Sequence, residues 1–311
     1  MPSFFDRLFH KKQAENKPLS TSDNTNSGQA RSEHGTIRSV FQSGRVTPTK
    51  PHLEIPQILV GVAQSVGIER EKNEDSVFTL TTTLVSNDVI SNFGLYIVAD
   101  GMGGYEKGEL ASSLAVRELA AHVLNKFYLP SIANLNNNLD ISIQELMQDG
   151  VMKAHQTIRQ DALGSGTTLT AAFILGDHLT ICHVGDSRAY SIQPDGHLQL
   201  LTHDHSLVKR LEEIGQITPD EASIHPKRNL LYRALGQGEP FDPDITNMQV
   251  VEGYQLLICS DGLWGVISES QMSDIIGLSN SPQVACQSLI DAANAAGGPD
   301  NISAIMICMS D

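Results

Sequence analysis

The sequence predicts an α+β domain in which antiparallel sheets and helices form separate layers. Two observations support this fold class. Apolar runs of strand length alternate in blocks with longer segments of helical periodicity. In addition, Gly176-Asp177 and Asp195-Gly196 each separate two apolar runs, as hairpin turns do. Because such short connections join antiparallel strands, we expect antiparallel sheets.

Nine segments are predicted as strands because each is a short, largely apolar run bounded by turn residues. They cover residues 58–64, 75–80, 95–99, 168–175, 179–184, 189–192, 197–201, 254–259 and 302–308. The runs at 95–99, 179–184 and 256–259 are apolar throughout or nearly so, which indicates strands buried within the domain.

Helices are predicted where apolar residues recur at helical spacing or where a capping signal is present. The first covers about 104–126, where Leu110, Leu114, Leu119 and Val123 would form the packing face, and the second covers about 141–161. Further helices are predicted from four starting signals. These signals are Ser206, Thr218-Pro219-Asp220-Glu221, Ser268-x-x-Gln271 and Ser281-Pro282.

The first 56 residues are predicted to be an N-terminal extension, with the domain covering residues 57–311. Residues 11–51 are rich in Ser, Thr, Asn, Gln and Lys and have no hydrophobic period. They bury too little apolar surface to fold, so this segment is predicted to be disordered. Residues 1–12 contain four apolar side chains at near-helical spacing ahead of two lysines. They leave two possibilities open, an unstructured terminus or a short helix that docks on a partner or a membrane surface.

Composition and charge exclude several classes of protein. The chain has 311 residues and a formal net charge of −15, although residues 1–56 carry 8 Lys and Arg against 5 Asp and Glu. The domain is therefore strongly acidic, which disfavours nucleic acid as a partner and suits a site that collects divalent cations. No apolar run reaches the roughly 18 residues of a membrane span. We expect a soluble cytoplasmic monomer whose four cysteines are reduced.

Five aspartates lie beside residues that turn the chain, most of them at the end of an apolar run. They are Asp75, Asp100, Asp186, Asp261 and Asp300. If strand ends bring these carboxylates together, their mutual repulsion requires neutralisation. Oxygen ligands without a set of Cys and His residues suit hard divalent cations such as Mg²⁺ or Mn²⁺. This pattern predicts a metal-dependent hydrolase.

The order and spacing of eight motifs make the prediction specific. They are Arg70-x-x-Asn73-Glu74-Asp75, Asp100-Gly101-Met102-Gly103-Gly104, Ser165-Gly166-Thr167-Thr168, Gly185-Asp186-Ser187-Arg188, Asp204-His205-Ser206, Arg233-Ala234-Leu235-Gly236, Ser260-Asp261-Gly262 and Gly298-Pro299-Asp300-Asn301-Ile302-Ser303. Over about 57–311 this series resembles the PPM family, the metal-dependent serine/threonine phosphatases also called protein phosphatase 2C. The Asp-Gly-Met-Gly-Gly form resembles the bacterial branch.

The resemblance implies a four-layer α-β-β-α sandwich of two antiparallel sheets with a metal site at one end. It implies that Asp100 bridges two tightly bound Mn²⁺ or Mg²⁺ ions and that the Gly101 carbonyl completes one of the sites. Asp261 and Asp300 would bind the other ion, while Glu74 and Asp75 would act through water molecules. Asp186 would reach a weaker third cation. A metal-activated water would then hydrolyse the phosphate ester without a covalent intermediate.

The resemblance also implies where substrate binds. The planar guanidinium of Arg70 would hold two phosphate oxygens. Together with the metal ligands Asp100 and Asp261, Arg70 is a predicted catalytic residue. Residues 207–232 would form a flap beside the site that influences substrate choice. The expected partners are phosphoserine and phosphothreonine proteins and a cognate Ser/Thr kinase.

One position departs from the eukaryotic pattern, in which a histidine after Asp-Gly is thought to protonate the leaving group. Here that position is Met102, which cannot donate a proton. His203 and His205 are the nearest histidines by motif, and we expect structural roles for both. Two alternatives remain open: a phosphatase dedicated to one regulatory protein, and a catalytically silent docking regulator. The second is disfavoured because every expected metal aspartate is present.

Overall fold

The computed structural model describes residues 57–86, 89–103, 107–133, 142–239 and 241–310. The predictions for the N-terminal extension 1–56, including its apolar segment 1–12, therefore lie outside the described residues. Within the described ranges, no helix is both long enough and apolar enough to cross a membrane.

Two antiparallel sheets form the centre of the fold. The strands in chain order are β1 (Gln57–Ser65), β2 (Asp75–Ser86), β3 (Val89–Met102), β4 (Gly166–Thr167), β5 (Leu169–Leu175), β6 (His178–Val184), β7 (Arg188–Ile192), β8 (Leu198–Leu200), β9 (Asp244–Gln249), β10 (Gln255–Cys259) and β11 (Ile302–Ser310). One sheet has the order β1-β11-β10-β7-β8 and the other β2-β3-β5-β6-β9, with β4 paired to the end of β3. All neighbours pair antiparallel, as predicted.

Helices cover the outer faces of both sheets. They are α1 (Lys107–Val123), which continues through a π-helical turn (Leu124–Tyr128) into α2 (Leu129–Ala133), then α3 (Ile143–Asp161), α4 (Leu207–Glu213), α5 (Pro219–Ser223), α6 (Asp261–Trp264), α7 (Glu269–Leu278) and α8 (Pro282–Ala295). The predicted caps are all present: Ser206, Thr218, Ser268 and Ser281 each accept a hydrogen bond from a backbone N–H in the first turn. These bonds satisfy donors that helix starts otherwise leave free.

The hydrophobic core lies in layers, and β10 shows why. Leu256 and Ile258 face the other sheet and pack in a cluster with Tyr96 and Ile181. Leu257 and Cys259 point the opposite way into a second cluster with the helices, including Leu289 of α8. A strand covered on both faces needs apolar residues at every position, which explains its continuous apolar run. The α-β-β-α sandwich is thereby confirmed.

Two sequence predictions need correction. β9 was not predicted, because its sequence Asp-Ile-Thr-Asn-Met-Gln is largely polar; it lies at the edge of its sheet, where one side is solvated. The packing face of α1 was only partly correct: Leu119 and Val123 are completely buried as predicted, whereas Leu110 is 43 % exposed and Ala111 and Ala115 are buried instead. Small side chains allow the helix to approach the sheet closely. A prediction that favoured large apolar residues therefore missed the buried alanines.

Candidate active site

The strand register brings the predicted acids to one end of the sandwich. β2 and β3 pair so that Asp75 lies opposite Asp100. Asp186 follows the end of β6, Asp261 follows β10 as the first residue of α6, and Asp300 precedes β11. β2, β3 and β6 belong to one sheet and β10 and β11 to the other, so the five acids come from strand ends of both sheets at the same end of the sandwich.

Two adjoining clefts open at this end of the fold. The smaller one has a volume of about 250 Å³ and is lined by Arg70, Glu74, Asp100, Gly101, Met102, Gly103, Thr168, Asp186, Asn229, Leu231, Asp261 and Asp300. The larger one, of about 550 Å³, shares Arg70, Asp186, Asn229, Asp261 and Asp300 with it and extends along the predicted flap. Every predicted site residue except Asp75 therefore lines the smaller cleft.

Asp75 lies behind the cleft, where it is held by two hydroxyl groups. Ser260 Oγ donates to its Oδ2 at 2.8 Å and Ser303 Oγ donates to the same oxygen at 2.6 Å. The residue is 7 % exposed, and its other oxygen, Oδ1, is buried without a hydrogen-bond partner among the described residues. Oδ1 of Asp261 is also buried without a hydrogen-bond partner among these residues. Buried carboxylate oxygens without donors are costly unless a cation satisfies them.

The electrostatics of the cluster favour cation binding. Burial raises the pKa of Asp75 to about 7 and that of Asp261 to about 6, and neighbouring carboxylates add to both shifts. Burial and repulsion by Asp75 and Asp261 raise the pKa of Asp100 well above its ordinary value. Asp100 and Asp261 line the smaller cleft together, and the charge of Asp261 contributes to the raised pKa of Asp100. Oxygen donors crowded in this way match the ligand preference of Mg²⁺ or Mn²⁺.

The backbone around Asp100 is tightly fixed. Its N–H donates to Thr168 Oγ1 at 2.9 Å, and its carbonyl accepts from the Thr168 N–H at 2.9 Å and from Thr167 Oγ1 at 2.8 Å. Gly101 has a steric reason to be glycine, because a Cβ there would lie 2.2 Å from the Gly108 carbonyl oxygen. The start of α1 therefore packs directly against the residue that follows Asp100.

Arg70 and Asp300 form an ion pair at the mouth of both clefts. Arg70 Nη2 donates to Asp300 Oδ2 at 2.7 Å, and the Arg70 side chain is 47 % exposed. The second Asp300 oxygen accepts the backbone N–H of Asn301 at 2.8 Å. Arg70 thus lies at the site, as predicted, with part of its guanidinium facing solvent.

His203, His205 and Asp244 form a second cluster of metal-ligand residue types. His205 Nδ1 accepts the Gly185 N–H at 3.1 Å, and burial lowers the pKa of His205, so its ring is neutral with the proton on Nε2. That nitrogen faces Asp244 Oδ2 at 3.1 Å, beside the Arg233 guanidinium. A proton on Nε2 and an adjacent cation both oppose metal binding. The arrangement agrees with the structural role predicted for these histidines.

Several residues that shape the site received no role from the sequence. Ser260 and Ser303 hold Asp75, and Trp264 Nε1 donates to the Asp186 carbonyl at 3.0 Å. Asn301 holds the loop between β1 and β2 at three points, because its side chain bonds the backbone of Val66, Lys72 and Glu74. Three of them, Ser260, Ser303 and Asn301, belong to the motifs quoted above, so the signal was present, but only the folded contacts show what each residue does.

Comparison with protein families decides the class of the protein. The model of the protein phosphatase 2C family matches residues 62–302. This chain belongs to the protein phosphatase 2C family. The match spans all five aspartates and Arg70. It confirms the resemblance found in the sequence and the predicted function, a metal-dependent serine/threonine protein phosphatase.

Individual relatives agree with this assignment. The phosphatase is 37 % identical over 216 residues to the serine/threonine phosphatase stp of Listeria welshimeri, covering 70 % of this chain and 84 % of that protein. It is similar to the crystal structure of the Mycobacterium tuberculosis phosphatase PstP/Ppp, with a TM-score of 0.68, 30 % identity and coverage of 82 % of this chain and 99 % of that one. A structure of the PstP catalytic domain in complex with two manganese ions has a TM-score of 0.66 and 29 % identity, covering 82 % of this chain and all of that one.

The comparisons therefore support divalent metal use and phosphoprotein substrates for this phosphatase. The choice between Mn²⁺ and Mg²⁺, the number of ions and the role of each residue remain predictions.

Proposed function

We propose that this phosphatase hydrolyses phosphoserine and phosphothreonine in proteins with two tightly bound divalent cations, and that it reverses the action of a Ser/Thr kinase. One observation carries the proposal: Asp100, Asp261 and Asp300 line the same small cleft as the partly exposed guanidinium of Arg70. The cleft thus combines a cation-binding wall with a group that recognises phosphate.

Asp100, Gly101, Asp261 and Asp300 are the residues that would hold the two ions. Asp100 is central because it lines the small cleft together with Gly101, Asp261 and Asp300. When bound, two divalent cations would lower the pKa of a shared water and neutralise the phosphoryl oxygens. No cysteine lines either cleft, so no thiol nucleophile is available there.

Asp75 would support the ion sites from behind the cleft, and Glu74 would support them from its wall. The two serine hydroxyls fix one oxygen of Asp75 and leave the other directed away from them. The Glu74 backbone is fixed on both sides, since its N–H donates to Asn301 Oδ1 at 2.8 Å and its carbonyl accepts Ser112 Oγ at 2.6 Å. Such support orients carboxylates and raises the affinity of a metal site.

Arg70 would bind the substrate phosphate. Only its Nη2 donates to Asp300, so the remaining N–H groups of its planar fork can face phosphate oxygens in the cleft. Charge-assisted bonds of this kind favour a dianionic phosphate ester over a neutral or singly charged group. Asp186, which lines both clefts, is proposed to contact a weaker third cation at the flap side.

The predicted flap, residues 207–232, would select the protein substrate. Its helices α4 and α5 contribute Val208, Lys209, Glu212, Pro219, Ala222 and Ser223 to the larger cleft. The part of the protein substrate that flanks the phosphorylated residue would occupy the larger cleft. The cognate kinase, a cytoplasmic location and a monomeric state remain parts of the proposal.

A two-step assay tests the proposal. The purified full chain should hydrolyse a chromogenic phosphate ester only with Mn²⁺ or Mg²⁺, and it should release phosphate from phosphothreonine peptides under the same conditions. Phosphotyrosine peptides of matched sequence are the control. Full activity in EDTA, or exclusive action on phosphotyrosine, would contradict the proposal.

A further inference from the structure

The turn that carries Asp186 is held through its backbone. The Gly185 carbonyl accepts the His205 N–H at 2.7 Å, and the Gly185 N–H donates to His205 Nδ1 at 3.1 Å. The Asp186 carbonyl accepts the indole N–H of Trp264 at 3.0 Å. These bonds leave the Asp186 carboxylate to line both clefts.

Trp264 is in turn fixed by Arg188. The guanidinium carbon of Arg188 lies 3.6 Å from the centroid of the Trp264 ring, within the range of a cation–π contact. Arg188 Nε and Nη2 donate to the two oxygens of Asp204 at 3.0 and 2.7 Å, and Nη1 donates to Tyr190 OH at 3.0 Å. Asp204 is 4 % exposed. A lysine could not form the fork and the stack together.

Arg188, Asp204 and Trp264, here called the Arg188 clamp, join three segments around the site. Arg188 follows the Asp186 turn, and Trp264 ends the four-residue helix α6 that begins with Asp261. Asp204 lies two residues before Ser206, which caps the first helix of the flap. The clamp therefore connects two acids of the cleft and the base of the flap through side chains that are not themselves predicted to bind a cation.

We propose that the Arg188 clamp is a positioning device that keeps Asp186 and Asp261 close enough to share a weakly bound divalent cation at the flap side of the cleft. The proposal rests on the proposed function, because it concerns the same cleft. Two neighbouring carboxylates repel each other, and a site with few protein ligands lacks the binding energy to gather them. A rigid connection between the Asp186 backbone and helix α6 supplies the missing preorganisation.

Trp264→Phe is the decisive variant, because it keeps an aromatic ring against Arg188 and, together with part of the indole, removes the N–H that bonds Asp186. Mn²⁺ titration of the purified full chain by calorimetry should show the two tight sites unchanged and the weak site weakened about fivefold, the scale of one hydrogen bond. With a chromogenic phosphate ester, kcat should fall at low Mn²⁺ and recover at high Mn²⁺. Asp204→Asn should shift the weak site in the same direction.

Tyr96→Phe is the matched control. It removes a buried hydroxyl that bonds Thr81 at 2.9 Å within the other sheet, away from the clamp. It should lower the melting temperature without changing the Mn²⁺ titration. If the clamp had a purely structural role, Trp264→Phe would behave like Tyr96→Phe, with a lower melting temperature and an unchanged Mn²⁺ titration.

Three results would overturn the proposal: a wild-type Mn²⁺ titration for Trp264→Phe, loss of the tight sites together with the weak one, or a wild-type protein that binds only two ions. Calorimetry reads ion binding without turnover. If the wild-type protein binds three ions but hydrolyses no phosphoprotein, the proposed function fails, whereas the clamp is still judged by the shift of the weak site.

Discussion

The two sides of the active-site cleft are built in different ways. On the sheet side, Asp75 and Asp100 lie on paired strands, and each accepts a hydrogen bond from a buried hydroxyl group. On the flap side, α4 buries none of its residues and α5 buries only Ala222. The side that would bind cations is thus part of the core, whereas the side that would meet protein substrate is an edge element.

The difference indicates which properties of the enzyme can change independently. The arrangement of the acids depends on strand register and on buried hydroxyls, so substitutions there should affect the whole end of the sandwich. The flap depends on local caps, such as the reciprocal bonds between Thr218 and Glu221, and on a few contacts at its base. We therefore expect that its surface residues can vary without disturbing the acids, so that one catalytic centre could serve different substrates.

The largest expected effect tests the sheet side. Loss of a residue that hydrogen-bonds a metal ligand typically costs roughly 10–100-fold in activity. Asp100→Asn should lower kcat by more than this, because it removes the charge of the predicted bridging carboxylate. Ser303→Ala is the matched comparison and should fall within that 10–100-fold range. Steady-state kinetics at saturating Mn²⁺ measure both. Near-normal turnover in Asp100→Asn would show that the ions are held elsewhere.

Asp186→Ala tests the flap side of the same cleft. We expect the two tight ions to remain and kcat to fall by about 10²–10³, the usual scale for losing general acid catalysis. Met102 cannot protonate the leaving group, and the weaker cation at Asp186 would supply a water for that role. Calorimetric Mn²⁺ titration with parallel kinetics provides the measurement. Loss of the tight sites would place Asp186 in the main cluster and erase the proposed distinction between the two sides.

Arg70→Ala tests whether phosphate recognition is separate from ion binding. Loss of a charge-assisted fork should raise KM for a small phosphate ester by roughly tenfold to a hundredfold while Mn²⁺ affinity stays near normal. Arg70→Lys should recover little, since an ammonium group cannot reproduce the fork. An unchanged KM would mean that Arg70 serves only as the partner of Asp300.

The buried acids also predict how stability depends on pH without metal. The pKa values of Asp75 and Asp261 rise to about 7 and about 6 in the folded protein, above the ordinary value near 4. The folded state then binds more protons than the unfolded state, so stability in EDTA should fall as pH rises from about 4 to about 7.

Thermal melts at pH 5 and pH 8 measure this dependence. In EDTA the melting temperature should be higher at pH 5, and Mn²⁺ should reduce the difference by neutralising the carboxylates. Asp75→Asn, which cannot ionise, should show a weaker dependence and separates this effect from general repulsion in an acidic protein. A melting temperature in EDTA that increased over this interval would contradict the account of the cluster.

The smallest effect is expected from the extension. Removal of residues 1–50 should leave kcat on a small phosphate ester unchanged, because every predicted site residue lies within the described ranges beyond it. Kinetics of the truncated and full chains at equal Mn²⁺ make the comparison. A large loss of turnover would show that the extension contributes to one side of the cleft.

Local sequence determined much of this protein. Helix starts at Ser206, Thr218, Ser268 and Ser281 were predictable because a cap is a contact between residues three positions apart. The same is true of the hairpin turn at Gly176-Asp177 and of the aspartates beside their turns. The eight motifs in order were enough to identify the family, although the roles of the individual site residues remain predictions.

Tertiary structure decided what depends on long-range contacts. The burial of Ala111 instead of Leu110 follows from how closely α1 approaches its sheet, and the pairing of β9 follows from its neighbour rather than from its polar sequence. Likewise, Ser260 and Ser303 meet Asp75 only because separate strands end together. Such contacts join residues roughly 200 positions apart, and no local pattern encodes which strand ends become neighbours.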